Sequence, residues 1–121
     1  MRIFTFYQRD GKVINRFESR NVTIHPLVKT KKPFQIGYFY LEAGSVLGMH
    51  PATCPQLLMV TGGSGWVRVE GGEKVKVEPG MAVFLEKGEQ HESGSVHGMT
   101  AIVAEGEEIN PDEFLESFSK S

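Results

Sequence analysis

The stretch GSVLGMHPATCPQLLMVTGG, residues 44–63, decides how this chain is read. Gly44 is followed after five residues by His50, then by Ala52, by Gln56 after three more and by Gly63 after another six. On a strand, residues two apart face the same side, so His50 and position 52 share a face, and Gln56 returns to it after the turn at Pro55. A second stretch, GMAVFLEKGEQH over residues 80–91, places Gly80, Glu86, Gly88 and His91 at comparably regular intervals.

Working outward, the dominant period is two. Trp66, Val67, Arg68 and Val69 alternate, as do Lys74, Val75, Lys76 and Val77, which is the pattern of strands with one apolar and one polar face. The runs Ile3 to Tyr7, Asn21 to Leu27, Phe34 to Leu41, Gln56 to Thr61, Ala82 to Leu85 and Met99 to Ala104 carry the β-branched and aromatic residues that favour strands. Twelve of the 14 glycines fall between Gly44 and Gly106, so turns are close and strands short. In a chain of 121 residues this predicts one all-β domain, a sandwich or barrel of the jelly-roll kind. Residues 1–33 read as amino-terminal strands and 34–105 as the barrel; Glu105 to Glu108 read as a linker-like stretch. A short C-terminal α-helix is expected over 110–119, capped by Asn110, opened by Pro111 and carrying Phe114, Leu115 and Phe118 on one face.

Charge and composition exclude several classes. Thirteen Lys and Arg against 15 Asp and Glu give a net charge of −2, with no general attraction to nucleic acid or to an anionic membrane. The basic cluster Lys29, Lys31 and Lys32 reads as a solvated loop. A single cysteine, Cys54, allows no internal disulfide and suits a reducing compartment. With no apolar run of membrane-spanning length and no signal-like amino terminus, the expected location is cytoplasmic.

The spacing of both stretches resembles the two sequence motifs of the cupin family. The first reads glycine, five residues, histidine, one residue, histidine, three or four residues, glutamate, six residues, glycine. The second reads glycine, five residues, proline, any residue, glycine, two residues, histidine. The resemblance covers roughly Tyr38 to Glu105 and implies a double-stranded β-helix, the cupin form of the jelly-roll barrel. It also implies a site inside the barrel where His50 and His91 are imidazole donors and Gln56 a weaker third, for one divalent metal ion. Three positions depart from the pattern: Ala52 stands for the second histidine, Gln56 for the glutamate and Glu86 for the proline. A neutral amide brings no negative charge to offset a cation, so the departures weaken a metal site.

Two chemistries follow. In one, His50, Gln56 and His91 bind a small molecule as polar residues of an apolar pocket, with hydrogen bonds among His50, His91, Gln56 and Thr53. In the other they are ligands of a metal-dependent oxygenase or isomerase. A structural or regulatory dimer with a vestigial pocket is a third reading. Glu86, Glu89 and Glu92 lie near His91 in sequence and could orient its ring, although Glu92 should face away unless a bulge intervenes. Cys54 is a conceivable thiol nucleophile beside an imidazole and more simply a small apolar residue. His97 is expected in an exposed turn and His25 on an early edge strand. Trp66 and Arg68 share a strand face that could frame a pocket mouth. Phe34, Ile36, Tyr38 and Tyr40 form a period-two stripe suited to a core or an interface. A homodimer is expected, with an early strand added to the partner's sheet and Lys29, Lys31 and Lys32 at the rim, because exposed strand edges need cover.

Overall fold

The computed structural model describes residues 1–118. Among them the chain runs through β1 (Arg2–Thr5), β2 (Lys12–Val13), β3 (Thr23–Ile24), β4 (Phe34–Leu41), β5 (Ser45–Pro51) and β6 (Gln56–Gly63). It continues through β7 (Gly65–Val69), β8 (Val75–Val77), β9 (Met81–Leu85), β10 (Gln90–Ser95), β11 (Met99–Gly106) and β12 (Glu116–Ser117). A six-stranded sheet has the order β12-β1-β9-β6-β11-β4, and a four-stranded sheet has the order β5-β10-β7-β8. The pairs within both sheets are antiparallel, and β2 with β3 makes a separate small ribbon. No helix among the described residues is long and apolar enough to cross a membrane.

The sequence of β9 explains its place. All five residues of MAVFL are buried, because β9 is an interior strand of a sheet covered on both faces. Met81, Val83 and Leu85 join Leu41, Val60, Val67, Val77 and Met99 in the core between the sheets. Ala82 and Phe84 point the other way, into a second cluster with Phe4, Leu57, Met59, Ile109 and Leu115. Strict period-two alternation thus feeds two apolar layers from one sheet.

Three expectations are corrected. No α-helix forms over residues 110–118; residue 119 lies outside the described residues. The capping signals act, since the Asn110 side chain accepts from the Asp112 amide at 3.1 Å, but they start only the 3-10 turn Pro111–Glu113. The chain then becomes β12, pairing Ser117 with Phe4 and Glu116 with Thr5, and the Phe118 amide donates to the Ile3 carbonyl at 2.7 Å. Helix nucleation is costly, whereas an open sheet edge offers ready partners, so the edge wins. Leu115 still reaches the outer apolar layer, as the stripe required.

The early strands also differ. Asn21 to Leu27 contains only the two residues of β3, and β1 is hydrogen-bonded on both sides within its own chain, to β9 and β12. Both edges of β1 are therefore occupied within this chain. Finally, Glu105 belongs to β11 rather than to a linker.

Candidate functional site

One wall of the site comes from the small sheet. His50 on β5 and His91 on β10 are direct cross-strand partners, and their ring centroids stand 4.4 Å apart. Each ring is held by a backbone carbonyl two residues before it in the chain. His50 Nδ1 lies 2.6 Å from the Gly48 carbonyl oxygen, and His91 Nδ1 lies 2.9 Å from that of Glu89. A carbonyl can only accept, so both Nδ1 atoms carry the proton and, in the neutral rings, both Nε2 atoms keep a lone pair. The expected bonds from these rings to Gln56 and Thr53 are not formed, because backbone carbonyls two residues away satisfy Nδ1 first.

The facing wall is a polar row across three strands of the large sheet. Glu105 on β11 is the register partner of Gln56 on β6 and of Gln35 on β4. The Gln56 amide Nε2–H donates to Glu105 Oε2 at 2.9 Å, which leaves its carbonyl oxygen as the free end. All five polar residues line one cavity of about 130 Å³, whose apolar lining includes Phe39, Leu47, Leu58, Leu85 and Val103. Phe39 and Leu47 are 40% and 42% exposed, so the mouth has an apolar rim.

Both walls depend on an irregularity. Between β11 and β6 the register shifts after Thr100, where Thr100 opposes Gly62 but Ala101 opposes Val60, leaving Thr61 as the extra residue. Between β10 and β5 it shifts between His91 and Ser93. Bulges of this kind re-aim side chains, and they put His91 opposite His50 and Glu105 opposite Gln56.

The other sequence candidates lie elsewhere. The Glu92 carboxylate makes an ion pair with Arg68, its partner on β7, so neither lines the cavity. Glu89 holds His91 through its carbonyl, while its carboxylate accepts from the Glu86 amide at 3.1 Å. Cys54 sits with Thr53 and Phe34 in a separate shallow groove, away from the imidazoles. Trp66 carries the Lys74 ammonium over its ring at 4.1 Å. His97 is exposed; His25 packs edge-on against Phe6. Sequence reading missed Gln35 and Glu105. Period-two counting from Leu41, which faces the inner core, would have placed Gln35 on the cavity side.

The residues do not fit a divalent ion as they stand. Ala52 is buried in the inner core and offers no donor, and Gln56 offers only a neutral amide oxygen. Among the described residues no three His, Cys, Asp or Glu side chains are placed to hold one ion.

Burial is the main reason that His91 has a pKa below its ordinary value of 6.5, with the positive charge of His50 a smaller cause; the Glu89 carbonyl opposes both. The folded protein therefore binds this proton more weakly than the unfolded chain does. Stability from this group is fully present above about pH 6.5 and is lost as pH falls toward the depressed folded value. Urea midpoints should be flat above that pH and fall below it, with a shallower fall in His91→Gln. Equal slopes in both proteins would remove His91 as the source.

No family model matches the chain. Its sequence is 31% identical over 90 residues to an (R)-mandelonitrile lyase of Granulicella tundricola, a match covering 73% of this chain and 69% of that one. An RmlC-like cupin of Methanocaldococcus jannaschii with a double-stranded β-helix superposes with a TM-score of 0.58 at 13% identity, covering 85% of this chain and 92% of that one. A salicylate 1,2-dioxygenase of Pseudoaminobacter salicylatoxidans, solved with gentisate, gives a TM-score of 0.56 at 17% identity over 60% of this chain and 20% of that one. The motif glycines, the paired sheets and the sequence relative agree: the chain belongs to the cupin superfamily.

Proposed function

We propose that this cupin binds a small molecule in the cavity between His50, His91, Gln56 and Glu105. The observation that carries the reading is the pair of imidazoles, each pinned at Nδ1 by a backbone carbonyl and each left with Nε2 unpartnered among the described residues. Rings already oriented lose little freedom on binding, and an apolar cavity with few convergent polar groups is the usual form of a ligand site. The test is a fragment titration followed by the ring proton resonances of His50 and His91. Ligands should move both, and Leu58→Trp, which fills the cavity, should abolish the response. Fragments that bind without moving either ring would sink the reading.

An enzyme is the second reading, and the mandelonitrile lyase relative favours it. A cyanohydrin is a small neutral molecule with one hydroxyl, and a neutral imidazole can take that proton while the carbon–cyanide bond breaks and a carbonyl forms. The proton then leaves with cyanide. Benzaldehyde release from mandelonitrile, lost in His91→Gln, would support it; release at the uncatalysed rate would count against it. Elemental analysis of untagged protein separates the metal-dependent oxygenase or isomerase form, which requires stoichiometric metal.

We also propose a homodimer, through β4 instead of an exchanged early strand. Phe34, Ile36, Tyr38 and Tyr40 are 48%, 61%, 51% and 78% exposed on one face of a terminal strand, a stripe that a second copy would cover.

A further inference from the structure

Glu105 is a carboxylate in the cavity wall without a counter-ion. Its one hydrogen bond from a side chain comes from the neutral Gln56 amide, and none of the ion pairs among the described residues involves it. The cavity lining contains no Lys or Arg. The remaining polar atoms are mostly acceptors in their observed arrangement: two Nε2 lone pairs and the Gln56 carbonyl oxygen, with Gln35 and Ser93 able to serve either way. An anionic ligand would meet uncompensated negative charge in a half-enclosed, apolar-walled space, where charges interact more strongly than in water. A ligand that donates hydrogen bonds and carries positive charge would meet complementary groups on both walls.

We infer that the cavity selects small aliphatic amines, bound as ammonium ions on Glu105 with the alkyl tail against Phe39, Leu58 and Val103, and that it rejects carboxylates. This rests on the reading of the cavity as a ligand site and names its ligand class. An ammonium has three donors and the cavity offers acceptors on two facing walls, so one small head can bridge Glu105 and an imidazole. The apolar lining suits a branched tail of a few carbons, in keeping with a volume of about 130 Å³.

The probes are isoamylamine, isoamyl alcohol and isovalerate, which share a branched tail and differ in the charge of the head. Each is titrated into the full chain after treatment with a chelator, with binding followed by calorimetry and by the ring protons of His50 and His91. The amine is expected to bind at least about tenfold more tightly than the alcohol, and the alcohol at least about tenfold more tightly than the acid. Glu105→Gln should bring the amine down to the alcohol's affinity. Gln35→Lys, at an exposed position beside Glu105, should do the same by supplying a competing ammonium and should raise the affinity for isovalerate. The second variant keeps the test decisive if the first does not fold. Isovalerate binding as well as the amine, or an amine preference that survives both variants, overturns the inference while leaving the cavity a ligand site. No response of either ring to any of the three probes overturns the inference and the site together.

Discussion

Gly63→Ala is expected to lower the melting temperature by about 10 °C, corresponding to a loss of about 3 kcal/mol or more. Gly63 closes β6 with φ at +69°, in the left-handed region where an added side chain is strained. A Cβ there would also overlap the Gly98 carbonyl and lie 3.1 Å from the Met99 Cα, so backbone and not a yielding side chain would have to move. The damage reaches further than the turn. Gly63 pairs with Met99 at the end of the β6–β11 ladder, just before the shift that aligns Gln56 with Glu105. Gly48→Ala is the control, since a Cβ there meets nothing within 4 Å and φ is not positive. Thermal unfolding of both variants checks the prediction; equal melting temperatures would show that β6 tolerates another path through the turn.

Phe4→Ala is the second large effect, about 3–5 kcal/mol. Phe4 is fully buried in the outer apolar layer, on a strand held between β9 and β12. Removing the ring opens a cavity that β1 cannot close without breaking its pairing with Ala82 and Ser117. Phe17, 85% exposed, is the internal comparison: Phe17→Ala should change stability by less than about 0.5 kcal/mol. Denaturant melts measure both. Similar small losses would mean that the amino-terminal strand contributes little to this chain's own core.

The barrel was legible because its signals are local. Glycine spacing marks turns and period two marks strands, so β4 was read over its full length, Phe34 to Leu41, and β6, β9 and β11 to within two residues at an end. The imidazoles of His50 and His91 were legible through the resemblance of their spacing to the two cupin motifs, although their strands β5 and β10 were not read as such. What escaped was set by partners distant in sequence. Whether residues 114–118 coil or extend depends on the free edge of β1, over a hundred residues away in sequence. The role of Glu105 depends on being placed opposite Gln56 by an extra residue at Thr61, and a bulge leaves little trace in hydrophobic pattern. Glu92 shows the converse, a charge close to His91 in sequence but paired with Arg68 on the neighbouring strand.

The extra residue at Thr61 has a consequence for how such a site changes over generations. Side chains on a strand alternate faces, so a slip that paired Thr61 with Ala101 would set Leu57 instead of Gln56 opposite Glu105, whereas losing Thr61 would straighten β6 and keep Gln56 opposite Glu105. A single in-frame codon deletion at Thr61 can therefore remove the bulge and leave the polar wall in register. The wall thus tolerates a change of length at the bulge itself, while a slip of one residue on its Gln56 side would exchange the wall at once.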